Sequence, residues 1–220
     1  LSPRGPGLKA LRATSVRHHQ HPPSMTSPEP PPPGASPRES ELLQPLREIY
    51  GDDGEALPRL EILDGSHIPE PYRGLLVHDR DMTRTLEAYH GDSIRLRTAA
   101  STLTGGIYRR RVALELERSG LPVEFGATRV HLEHFPEPWR GLILAGERPL
   151  GGILNAWGIA YRSRPSAFFR TEGDPRIRAA LGLADPTPLY GRRNTLSAPD
   201  GRPLADILEI LPPADPRPPR

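Results

Sequence analysis

The 220-residue chain contains no cysteine. That excludes disulfides and thiolate metal sites, and it fits a reducing, cytoplasmic compartment. No window reaches the ~18 consecutive apolar residues that a membrane helix requires, so no membrane span is expected. No serine sits in a GxSxG turn, which removes the hydrolase elbow. The Gly151-Gly152 pair is not followed by Lys-Ser or Lys-Thr, so it is not a phosphate loop. Aromatic residues do not interleave with the arginine run, and there is no RNP or helix-turn-helix pattern, so nucleic acid is not an expected partner. Lysine is nearly absent. The pI of about 9.2 on a net charge of only +2 therefore reflects arginine chemistry, which suits a small anionic ligand.

Proline is plentiful instead, at 29 residues, and unevenly spread. It crowds the first forty residues (HPPSMTSPEPPPPGASP) and the last nine (PPADPRPPR). Such segments bury too little apolar surface to offset ordering entropy, so 1–40 and 212–220 are expected to be disordered. The basic run RATSVRHHQH has arginine and no acid, as transit peptides do, but lacks the apolar core of a secretory signal; it reads as a non-functional or mis-started extension. Residues 41–211 remain as one domain of ordinary size.

Within that domain the apolar period changes along the chain. Residues 41–50 carry near-helical spacing, interrupted by Pro45. Residues 75–89 read as a helix, with Asp79 or Asp81 placed to cap a second segment from Met82 and Gly91 placed to stop it. Alternation then predicts strands over 93–103 and 107–116, joined at Gly105-Gly106, and another over 122–132. Short helices follow over 138–145 and 150–157, then a strand over 158–171 and a helix over 175–181 begun by Asp174. Strands over 189–196 and 204–211, joined at Pro199-Asp200-Gly201, close the domain. This order is α+β: a largely antiparallel sheet with helices covering one face.

Several residues stand out against that frame. Alternation puts Arg110 on the same face as Val112, Leu114 and Leu116, and puts Arg109 and Arg111 on the other with Ala113 and Glu115. A guanidinium on an apolar face is costly unless it grips an anion, and its forked N–H groups fit a carboxylate. Glu209 lies in ILEIL, and unpaired burial there would raise its proton affinity toward what a general acid needs. Asp206 falls on the opposite face and reads as surface. Gly151-Gly152 after Pro149-Leu150 would let backbone N–H groups approach an anion. His131 and His134 flank Glu133 without the spacing of HExxH, and in a strand they would face opposite ways, so no metal is expected.

Taken in order, these segments resemble the chorismate pyruvate-lyase family. Asp81-Met82-Thr83 is similar to the family's Asp/Ser-Met-Thr, and Tyr108-Arg109-Arg110-Arg111-Val112-Ala113-Leu114 to its strand with a key arginine. Phe125-Gly126 matches a glycine that lets backbone approach the ring, and Pro149-Leu150-Gly151 matches a PLG turn. Tyr190-Gly191-Arg192-Arg193 matches an aromatic-GRR strand, and Glu209 matches the family's glutamate after a one-residue shift. The likeness spans about 75–211 and departs from the family at the arginine triplet and near Glu209.

The resemblance implies an antiparallel sheet with helical flaps over a buried ligand, and cofactor-free conversion of chorismate to 4-hydroxybenzoate and pyruvate, for a quinone or a secondary metabolite. It further implies that Arg110, with Arg111 as second choice, and the amides of Met82 and Leu150 hold the ring carboxylate. Gly126 would lie under the ring, and Glu209 would shuttle a proton. The same architecture is similar to effector-sensing domains of bacterial transcription regulators, which bind small molecules without catalysis. A non-catalytic aromatic-acid binding domain is therefore the alternative reading.

Overall fold

The computed structural model describes residues 37–51 and 56–214. Most of the two proline-rich tails, 1–36 and 215–220, lies outside the described residues. Within the described part, α1 (Pro37–Leu42) and α2 (Gln44–Tyr50) lead to a short strand, β1 (Glu61–Leu63). Then come α3 (Tyr72–Leu76), α4 (Met82–His90), β2 (Ile94–Thr104), β3 (Ile107–Leu116) and β4 (Pro122–His131). After these follow α5 (Glu137–Ala145), α6 (Leu150–Ala156), β5 (Arg162–Thr171), α7 (Pro175–Ala180), β6 (Leu189–Ser197) and β7 (Pro203–Leu211). The seven strands form one antiparallel sheet in the order β1-β5-β6-β7-β4-β3-β2, so the fold is α+β.

The helix expected over 75–89 is two helices with a break at 77–81. Asp81 makes the second start: its backbone is extended, and its Oδ1 accepts from the Arg84 amide at 2.8 Å. The strand β1 pairs with β5 but is only three residues long, too short to carry an alternation signal.

Helices cover both faces of the sheet, not one. On one face α1, α2 and α7 bury Leu42, Leu46 and Ile177 against Phe125, Ala127, Leu208 and Ile210. On the other face two apolar clusters form. One joins Leu76, Met82 and Leu86 to Leu114, and the second joins Ile143, Ile153 and Leu154 to Val130 and Ala205. The period of two puts Phe125, Ala127, Leu208 and Ile210 on the first face, and Glu124, Gly126, Thr128 and Glu209 on the second. No helix among the described residues is long and apolar enough to cross a membrane.

Asp174 ties the first face together. Its Oδ1 caps α7 by accepting from the Arg176 and Ile177 amides at 2.7 and 3.0 Å, and its Oδ2 accepts from the Tyr50 hydroxyl at 2.7 Å. Burial, reinforced by this carboxylate, pushes the Tyr50 phenol well above its usual range. Asp174→Ala should cost about 2–3 kcal/mol, the sum of a lost cap and an orphaned buried hydroxyl. A lower urea midpoint with an unchanged slope would bear this out, and an unmoved midpoint would refute it.

Candidate functional site

Register places a polar patch on the second face. Three cross-strand rows run over β3, β4, β7 and β6: Arg110–Thr128–Ile207–Asn194, then Val112–Gly126–Glu209–Arg192, then Leu114–Glu124. All of these residues line one cavity. Its volume is about 60 Å3, room for a few waters. The roof comes from the start of α4, with Met82, and the start of α6, with Leu150.

Arg110, Glu209, Met82, Leu150 and Gly126 therefore meet in a single cavity, although they lie up to 127 positions apart in the chain. Arg111 does not join them. Alternation turns it to the opposite face, where its guanidinium lies 5.5 Å from the centre of the Tyr50 ring. Arg109 points the same way and pairs with Glu48. Gly126 matters through what it lacks. A Cβ there would stand 3.0 Å from Val112 Cγ2 and 3.5 Å from Glu124 Oε1, so a side chain would crowd the floor. Gly151 is also constrained, because a Cβ at that position would collide with the Asp81 carboxylate. The roof helices α4 and α6 meet at this point.

The electrostatics are those of a buried charge cluster. Arg110 is 2% exposed; its Nη2 donates to the Arg148 carbonyl at 3.2 Å, while Nε and Nη1 have no hydrogen-bond partner. Desolvation lowers the proton affinity of its guanidinium. Arg192 is fully buried. Its Nε donates to Glu209 Oε2, and its Nη1 donates to the carbonyls of Leu76 and His78 at 3.1 and 3.0 Å. Glu209 is thus paired, contrary to the expectation of an isolated buried carboxyl: Arg192 lies directly opposite it on the neighbouring strand. His78 stands against Arg192, and burial, with help from that cation, holds its imidazole below the usual range. Glu124 is buried with Oε2 unpartnered. Burial first, and then the Glu209 carboxylate, raise its proton affinity well above the ordinary value.

Sequence reasoning missed the part played by Glu124 and Arg192. Glu124 shares the period-two face of Gly126, a signal present in VEFG but weak without knowing which face is covered. Arg192 was visible only as part of the GRR run.

Two further expectations change. Asp206 does face away from Glu209, but it is largely buried, its side chain 15% exposed, held by Arg193 at 3.2 Å and by the Thr195 hydroxyl at 3.0 Å. His131 and His134 do not diverge. The strand ends at His131, a 3-10 turn over Leu132–His134 follows, and the two rings stack at 5.6 Å. With Glu133, their ligand atoms lie within 4.8 Å of one another. This cluster is partly exposed and internally paired, and it lies outside the residues lining the cavity.

Removing Arg192 would leave Glu209 buried without its counter-ion. Arg192→Met should therefore cost about 3–5 kcal/mol, whereas Arg110→Met, which removes a poorly paired charge, should be neutral or stabilising. Equal destabilisation in paired urea titrations would contradict this assignment of partners.

No family model matches the chain, and no curated protein matches it. Among solved structures, the effector domain of PhnF from Mycobacterium smegmatis is similar, with 18% identity and a TM-score of 0.49 over 60% of this chain and 87% of that one. The C-terminal domain of the histidine utilization repressor from Pseudomonas syringae pv. tomato matches at 11% identity and a TM-score of 0.34, over 56% of this chain and 97% of that one.

Proposed function

We propose that the cavity takes up a small aromatic carboxylate, and that the chain acts on chorismate as a lyase, releasing 4-hydroxybenzoate and pyruvate. One observation carries the first part. Arg110 is buried with two N–H donors unpartnered, and a carboxylate satisfies both in a bidentate pair. The resemblance in the order of motifs supports the second part.

The floor has the right polarity for such a ligand. Along β4 the rows of Thr128, Gly126 and Glu124 are each two residues apart, about 6.6 Å per step. Arg110 marks one end, Gly126 and Glu209 share the middle row, and Glu124 lies at the other end. A ring carboxylate at Arg110, aided by the amides of Met82 and Leu150, sets the ring over Gly126 and its para oxygen near Glu209. Aromatisation drives the elimination. The protein's task is then orientation and proton handling, with no cofactor.

A second reading, aromatic-acid binding without catalysis, has its own support. Both floor arginines also hold the roof: Arg192 through the carbonyls of Leu76 and His78, and Arg110 through that of Arg148. A carboxylate that engages Arg110 changes the bonding of that roof segment, which is how a sensing domain converts binding into movement.

Incubation with chorismate, without added metal, separates the two. Equal formation of 4-hydroxybenzoate and pyruvate supports the lyase. Thermal protection by 4-hydroxybenzoate without turnover supports binding alone, and neither outcome refutes both. Arg110→Ala should weaken 4-hydroxybenzoate binding by roughly 100-fold, the loss of a charge-assisted pair, and Arg111→Ala by little. The reverse ranking would overturn the role of Arg110.

A further inference from the structure

Glu124 is the one buried carboxyl of the cavity to which the reading above gives no role. It is 4% exposed, and its Oε2 has no hydrogen-bond partner. It sits on β4 two residues from Gly126, the residue that faces Glu209 across the β4–β7 pairing. We propose that the site works with two carboxyl groups in opposite roles: Glu209, held by Arg192, accepts a proton, and Glu124 beside it donates one. This inference rests on the lyase reading for its reaction.

The groups facing Glu124 support the division. From β7 comes the Glu209 carboxylate, from β6 Arg192, from the start of α4 Asp81, and from β3, at the far end of the floor, Arg110. The Tyr161 hydroxyl faces Asp81 at 3.4 Å. Arg192 gives Nε to Glu209 and Nη1 to two roof carbonyls, its Nη2 has no hydrogen-bond partner, and Glu124 forms no ion pair among the described residues. Two neighbouring carboxyls in a dry site separate into one that keeps its proton and one that does not. Here Arg192 pairs with Glu209 and not with Glu124.

The reaction balances with these two groups alone. Glu209 takes a proton from the ring carbon bearing the hydroxyl. That C–H pair becomes part of the aromatic ring as the ether bond at the adjacent ring carbon breaks, its electrons leaving with the enolpyruvyl oxygen. Glu124 supplies the proton that turns enolpyruvate into pyruvate. The proton on Glu209 then passes to Glu124, which restores both groups.

The test uses the full chain, with Glu124→Gln and Glu209→Gln assayed on chorismate and titrated with 4-hydroxybenzoate. Glu124→Gln should lower turnover by about 100-fold or more, the usual weight of a general acid, while 4-hydroxybenzoate still binds. The high-pH limb of the parent's kcat/KM profile should vanish in the variant. Parent-like turnover and an unchanged profile would overturn the proposal.

Stability offers a readout independent of activity. With its proton affinity raised in the fold, Glu124 contributes fully below the unfolded carboxyl pKa and loses that contribution as pH rises toward the folded value. Glu124→Gln should therefore gain on the parent as pH increases above about 4.5. A parent that never turns chorismate over refutes the lyase reading separately. Infrared spectra then decide the proposal: a protonated-carboxyl band in the parent and Glu209→Gln, lost in Glu124→Gln, supports it, and no such band in the parent sinks it.

Discussion

The buried ion pair between Arg192 and Glu209 is the constraint on which the rest of the site depends. Burying two charges is costly, and attraction offsets that cost only when the remaining donors and acceptors are also met. Arg192 meets most of its own by donating to the Leu76 and His78 carbonyls. The same guanidinium therefore fixes the Glu209 carboxylate on the sheet and anchors the chain between α3 and α4 above it. The break in the expected long helix is where those carbonyls turn inward. A continuous helix would have used them in its own hydrogen bonds.

Arg110 acts similarly on the other side of the cavity, with a different balance. It anchors the Arg148 carbonyl through one nitrogen and leaves two buried donors without partners. The two arginines thus divide the work. Arg192 engages Glu209 and two carbonyls and leaves only Nη2 unpartnered, whereas Arg110 engages one carbonyl and leaves both Nε and Nη1 unpartnered. Between them Gly126 keeps the floor open, and Asp81 against Gly151 brings the two roof helices to the same point.

The local features were readable from sequence because they depend on neighbouring residues. The period of two separated Arg110 from Arg109 and Arg111, and the structure places Arg111 against Tyr50 as that alternation requires. Asp81 and Asp174 each begin a helix as their side chains predict. The features that escaped depend on contacts distant in sequence. Glu124 gains its character from Glu209 and from burial, and neither is visible in VEFG. The stacking of His131 on His134 depends on a strand ending at that point and not one residue later. The three residues of β1 form a strand because β5 offers an edge, not because their own pattern demands it.

The sequence by itself determined the antiparallel α+β architecture and the opposite faces taken by Arg110 and by Arg109 and Arg111. These follow from side-chain periodicity and turn chemistry, which act over a few residues. Only the tertiary structure decided that Glu209 has Arg192 as its partner, that Glu124 stands beside it without one, and that helices cover both faces of the sheet. Those outcomes depend on strand pairing: β6 and β7 form a local hairpin, and β4, more than fifty residues earlier in the chain, pairs with β7 and sets which charges share one low-dielectric space.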